Sequence, residues 1–219
     1  MARVLSIVPR LLLAGLGAAP LIALTIVLLA TWQDPSRFGE RWLRAASTLV
    51  LLEILLLHSG AFMATGPIIL DRLWQRLGWF LGFGAFYAMA IGVYVRWVDS
   101  AYVLGVVLGV VAMRLVSQTL LRDRRGTILA LQRSAIGIVV MLATALLCVM
   151  PVPPFGVDEA ARAAAFGGRD DYIATHPQRF LLWGAGYFLL MGVVEALIGW
   201  NLLDWTDEQV DQAWRDLGR

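Results

Sequence analysis

The chain has no lysine; all 18 of its basic residues are arginine. Chemistry that builds a Schiff base on a lysine amine, retinal binding included, is therefore excluded. Cysteine occurs once, at Cys148 in an apolar run, so no intrachain disulfide can form. Histidine occurs only at His58 and His176, and a bundle holding two bis-histidine haems would need twice as many axial ligands. A large charge of one sign is also missing. The formal net charge of +2 is too small to point to nucleic acid. No phosphate-binding glycine loop, serine nucleophile elbow or metalloprotease helix is present. The sequence thus assigns no catalytic residue, no metal site and no cofactor.

What is abundant is apolar surface. Hydrophobic residues make up 59% of the 219 positions, more than a soluble domain of that length can hide in a core. A lipid bilayer hides it instead, so the bilayer is the first partner implied. A spanning helix needs about 20 mostly apolar residues. Six segments qualify: Leu11–Trp32, Ala45–Leu70, Trp79–Val98, Tyr102–Leu121, Ser134–Val152 and Leu181–Leu203. The expected fold is all-α, a polytopic transmembrane helix bundle forming one domain over residues 1–219, with an outer loop at 153–180. Most of the nine tryptophans fall near segment ends, as an interfacial aromatic belt requires. Arg3 and Arg10 before the first segment resemble a secretory leader, but the run continues through Trp32 without a small-x-small cleavage site. It reads as a retained helix, kinked at Pro20.

Arginines set the expected orientation. With the N-terminus inside, ten arginines fall on cytoplasmic flanks and seven on outer ones, and the RDRRGTILALQR loop supplies most of the difference. Both termini are expected in the cytoplasm. Arginine in place of lysine accompanies GC-rich bacterial genomes, which suggests a bacterial inner membrane. In the outer loop, Asp158 is the expected N-cap of a short Ala-rich helix, and Gly167-Gly168 its stop. The loop reads as a surface connection rather than the cover of a cavity. Its acids Asp158, Glu159, Asp170 and Asp171, with His176, match no calcium or zinc spacing and read as solvated.

Four ionisable residues interrupt the apolar segments: Glu53, His58, Arg114 and Glu195. Such groups are normally turned toward a partner, a cavity or a ligand. Glu53 shares a helical stripe with Ala46, Gly60 and Ala64, and Glu195 is flanked by Gly192 and Gly199. Small residues let a second helix approach closely, so both carboxylates read as lying on packing faces. Each is either a protonated or paired strut, or a proton-carrying or ligand-binding group. His58 lies five positions after Glu53, about 140° around the helix, so the two do not form a joint ligand pair. Arg114 either snorkels to the cytoplasmic headgroups or stays within the bundle. His58, Arg114 and Glu195 lie at similar depths from the outer ends of their segments, roughly 20 Å down, where an Arg114–Glu195 pair near His58 is geometrically feasible. Gly105-x-x-x-Gly109, and Gly84 with Ala88 and Gly92, predict either a tight hairpin across Asp99-Ser100 or an oligomer contact.

The stretch LLEILLLHSGAFMATG resembles an uncharacterised family of multi-pass bacterial and archaeal membrane proteins. In that family an early helix carries a glutamate and a nearby one a histidine-x-glycine-x-phenylalanine run. His58, Gly60 and Phe62 fit the run, and Glu53 corresponds to the glutamate, although here both features share one helix. The resemblance implies a helical membrane fold and no particular substrate.

Three classes of function remain. The first is a small ion- or proton-coupled transport or apolar-ligand-binding protein. The second is an accessory or scaffold subunit of a larger membrane complex, or a homo-oligomer. The third is an intramembrane enzyme acting on a lipid-like substrate. Serine, threonine, asparagine and aspartate are scarce within the segments, which disfavours a wide path for polar solutes.

Overall fold

A computed structural model describes residues 2–98, 124–199 and 206–216. Within these, the side chains of 2–14, 16–17, 40, 57–60, 63–64, 67, 97–98, 124–126, 129, 199 and 207 lie outside the description. The described residues are all-helical, without a strand. Helix α1 (Ala2–Gln33) leads through a 3-10 turn (Pro35–Arg37) into α2 (Glu40–Ile69), followed by α3 (Leu73–Val98). Then come α4 (Arg124–Val149), the short α5 (Glu159–Phe166) and α6 (Tyr172–Thr175), α7 (Pro177–Gly199) and α8 (Asp207–Asp216).

Among the described residues, three stretches are long and apolar enough to cross a membrane: Leu73–Arg96, Ala130–Val149 and Pro177–Ile198. They fall on the third, fifth and sixth expected segments. The first and second expected segments lie inside α1 and α2, and the fourth, Tyr102–Leu121, lies outside the described residues. The helices start earlier than the apolar segments, at Leu73, Arg124 and Pro177. Backbone bonding continues through polar residues, whereas hydropathy marks only the part suited to hydrocarbon. The fifth segment stops early, at Val149 rather than Val152, because Pro151 has no N–H to continue the ladder. Pro177 occupies the first position of α7, where no N–H is needed. Helix α1 runs without interruption through Pro20. Outward-facing Leu81, Met89, Val93, Leu142, Leu146 and Val149 are each more than half exposed. An apolar surface of this kind suits a membrane protein.

The chain forms two compact units, Met1–Leu51 with Val139–Asp204, and Leu52–Ile138 with Trp205–Arg219. In the first unit α7 is central. Its apolar window is 44% buried, against 22% for the corresponding windows of α3 and α4. Glycines let neighbours close in on it from two sides. A Cβ at Gly192 would sit 3.2 Å from Ile22 and 3.5 Å from Leu21, and one at Gly184 would sit 3.1 Å from Leu28. The α1–α7 contact is therefore antiparallel, and Thr25 Oγ1 spans it by donating to the Ala185 carbonyl at 3.4 Å. Gly186 faces Leu147 and Thr144 of α4 instead, and Trp183 Nε1 donates to the Met141 carbonyl at 3.3 Å. Buried hydroxyls bond back into their own helices: Thr31 to the Val27 carbonyl at 2.8 Å, Ser47 to Leu43 at 2.7 Å, Thr144 to Val140 at 2.8 Å. Such bonds satisfy polar side chains without water.

In the second unit, Leu52 of α2 packs with Phe80, Tyr87 and Ile91 of α3. Farther along the pair, Phe62 stacks on Phe83 with centroids 5.1 Å apart, and Trp79 Nε1 donates to the Phe62 carbonyl at 2.9 Å. Gly66 is what admits the Trp79 ring. A Cβ there would lie 2.7 Å from Trp79 Cδ1. Gly66→Ala should therefore destabilise the protein by about 1–3 kcal/mol. Gly84→Ala, where a Cβ meets nothing within 4 Å, should be neutral or gain up to about 1 kcal/mol of helix propensity. Thermal unfolding in detergent compares the two.

Candidate functional site

The two sequence candidates with described side chains, Glu53 and Glu195, belong to different compact units. Glu53 is half-buried on α2 in the second unit, next to the Leu52–Phe80 contact. Glu195 is half-buried on α7 in the first unit, one turn beyond the Gly192 contact with α1. Both carboxylates are engaged, and neither is without a partner. Ala46, which shares the expected stripe with Glu53, is buried, in keeping with a packing face at that position. His58 lies within α2, but its side chain is outside the description, and Arg114 lies outside the described residues. The proposed layer of His58, Arg114 and Glu195 therefore lies largely outside them too.

The structure instead builds a site where the outer loop was expected to be a simple surface connection. The loop differs from that expectation because its apolar residues fold inward. Val157, Ala165, Phe166 and Ala174 are all at most 3% exposed. Asp158 caps α5 by accepting from the Ala161 N–H at 2.8 Å, and Gly167 ends it in the left-handed region at φ 63°, both as the sequence reading expected. Asp171 caps α6 in the same way. The acids themselves stay exposed, and no group of three potential metal ligands occurs among the described residues.

Three arginines close the C-terminal ends of three helices here. Arg44 donates from Nε and a terminal nitrogen to the Ala165 carbonyl at the end of α5. Arg162 donates to the Thr175 carbonyl at the end of α6, at 2.8 Å. Arg179 donates to the Cys148 carbonyl at the end of α4, at 3.5 Å, and to the Tyr172 hydroxyl. The last carbonyls of a helix have no intrahelical donors and carry partial negative charge, so guanidinium groups suit them. Two indoles join in. Trp32 Nε1 donates to the Pro153 carbonyl at 3.0 Å, and Trp42 Nε1 to Thr31 Oγ1 at 2.7 Å. Gly156 is required against α1, since a Cβ there would collide with the Gln33 carbonyl.

A half-open groove of roughly 540 Å³ lies between the α1–α2 turn and α5. Asp34, Ser36, Gly39, Leu43, Gly156 and Asp158 are among its lining residues. Ser36 Oγ donates to Asp34 at 2.5 Å and Arg37 lies 3.9 Å away, which holds the Asp34 carboxyl below its ordinary pKa of 3.8. The groove therefore offers small apolar walls and the carboxyls of Asp34 and Asp158. Periodicity could not have revealed this end of the molecule, because cross-loop donation from arginine and tryptophan leaves no spacing signature. Compared with protein-family models, curated proteins and solved structures, the chain matches none.

Arg44→Ala should cost about 1.5–3 kcal/mol, as expected for a charge-assisted hydrogen bond, and Asp158→Ala about 1 kcal/mol. Both should also speed limited proteolysis between residues 153 and 171. Because the Asp34 pKa is lowered, its contribution to stability is complete above its unfolded pKa and is lost as pH falls through the lowered folded value. The Asp34→Asn variant should therefore be less stable than the parent at neutral pH, and the two stabilities should converge as the solution is made strongly acidic.

Proposed function

We propose that the chain is a six-span protein of the bacterial inner membrane, with both termini in the cytoplasm. Its activity on this reading is small-scale ion- or proton-coupled transport. The length of α1 and α2, 32 and 30 residues, supports two further spans, since each reaches about 45 Å or more. The arginine contacts support the orientation. Of the seven outer-flank arginines, Arg44, Arg162 and Arg179 are bound to helix carbonyls and Arg37 lies beside Asp34. Their place on the outer flanks of this reading thus has a structural reason.

The observation that carries the activity is the pair Glu53 and Glu195, half-buried and engaged within apolar helices. A carboxylate is costly in such a setting, and proton or ion coupling is the use that offsets the cost. The back-bonded hydroxyls of Thr31, Ser47 and Thr144 favour coupling of a small ion over passage of a polar solute.

One feature favours the subunit reading as a second possibility. Gly78 and Gly82 form a small-xxx-small step on an exposed side of α3, and a Cβ at either would meet nothing within 4 Å. Such a face fits another helix. The two readings separate in reconstituted vesicles. Proton flux under an imposed potential, read with an entrapped pH-sensitive dye, should exceed that of empty vesicles and fall by tenfold or more (on the order of the ~1.4 kcal/mol that a tenfold change represents) in Glu53→Gln. Flux equal to empty vesicles would sink the transport reading. Loss of a cross-linked oligomer in Gly82→Leu, with no flux in any form, would favour the subunit.

A further inference from the structure

The turn between α2 and α3 holds three large apolar side chains outward. Ile69, Leu73 and Trp74 are 54%, 48% and 64% exposed, while Ile68 beside them is buried with Ile128, Val210 and Trp214. The turn is fixed by its own backbone. The Leu70 N–H donates to the Gly66 carbonyl at 3.0 Å, and the Gln75 and Arg76 N–H groups donate to the Arg72 carbonyl at 3.1 and 3.2 Å. Apolar groups held outward by an ordered turn mark an interaction surface.

Arg72 stands among them and is exposed. Its guanidinium has neither a hydrogen bond nor an ion pair among the described residues, whereas Asp71 and Arg76 are both engaged. Arg72 is thus the charge that the turn offers without a protein partner. Trp74 also opens a longer stripe. At 100° per residue, Trp74, Leu81, Met89 and Arg96 fall within about 80° of one another around α3. All four are exposed. From Trp74 to Arg96 the helix rises roughly 33 Å, close to the ~30 Å thickness of a bilayer's hydrocarbon core. An aromatic beside an arginine at one end, apolar side chains between, and an arginine at the other end is the pattern of a helix face whose two ends meet headgroups.

We propose that the α2–α3 turn docks into the phospholipid headgroup layer, with Ile69, Leu73 and Trp74 at the acyl boundary and Arg72 on a lipid phosphate. The exposed face of α3 from Trp74 to Arg96 then meets lipid along its length. A guanidinium offers a phosphate two parallel N–H donors, and an indole suits a boundary that is apolar on one side and wet on the other. This rests on the membrane reading of the chain. It gives to lipid the side of α3 that carries Gly78 and Gly82, which a second copy would otherwise cover.

The test uses the full chain with Cys148→Ser, in vesicles of phosphatidylcholine and phosphatidylglycerol. A nitroxide spin label is placed in turn at Leu73→Cys, Leu81→Cys and Asp170→Cys. Collisions are measured with oxygen, which concentrates in hydrocarbon, and with a neutral nickel chelate, which stays in water. Oxygen should dominate at Leu81, nickel at the exposed outer-loop Asp170, and Leu73 should fall between them. Arg72→Glu should raise nickel access at Leu73 severalfold and Arg72→Lys should not, while the Leu81 values stay constant and report an intact fold. Nickel access at Leu73 equal to that at Asp170 overturns the docking. Exclusion of both collision partners from Leu81 means that a protein helix covers the face, and overturns its assignment to lipid. An unchanged Leu73 label in Arg72→Glu overturns the phosphate contact. A chain that does not float with the vesicles overturns the membrane reading and the docking with it. A chain that floats with Leu73 in water overturns the docking alone.

Discussion

The structure depends on one constraint: a polar group packed among apolar helices must find its hydrogen bond inside the protein, since apolar side chains supply none. The chain meets this at three scales. Within a helix, Thr31, Ser47 and Thr144 return their hydroxyl protons to carbonyls one turn back. Between helices, Thr25, Trp79 and Trp183 donate to carbonyls of a neighbour. At helix ends, Arg44, Arg162 and Arg179 reach carbonyls that their own helices leave open. Close approach is the condition for the second scale, and Gly66 and Gly184 provide it by omitting a side chain where a ring or a leucine must pass. The absence of lysine fits the third. A guanidinium presents several N–H groups in a fixed fork and can serve one carbonyl with two of them, as Arg44 does at Ala165.

Helical character was legible in the sequence wherever hydropathy and punctuation agreed. The apolar runs marked α3, α4 and α7, and Asp158 with Gly167 marked both ends of α5. Helix starts were less legible, because α4 begins among arginines that hydropathy counts as loop. The inward folding of the outer loop was not legible at all. Val157 stands alone before Asp158, Phe166 ends an Ala-rich helix flanked by charged residues, and only the fold shows that both are buried. The tryptophans were read as an interfacial belt. Trp32, Trp42, Trp79 and Trp183 also act as donors that fix one segment to another, which position along the chain does not reveal.

The intrusive carboxylates keep their interest in a changed form. Angular spacing separated Glu53 from His58 in the sequence, and the structure places Glu53 and Glu195 in different compact units. Each sits beside a contact made by its own helix: Glu53 beside Leu52 and α3, Glu195 one turn from Gly192 and α1. Each is described by the helix pair of its own unit.

The antiparallel pairing of α1 with α7 has a consequence for how the protein is made. Thr25 and its acceptor Ala185 are 160 residues apart. At synthesis rates of ~5–20 residues per second, α1 waits roughly 8–30 s before the face it needs leaves the ribosome. During that interval Leu21 and Leu28 lack the α7 neighbours that close over them in the finished fold. Biogenesis of the first unit is therefore a late event. It completes only once α7 has been made, and the interval before that is the period when α1 is most open to wrong partners.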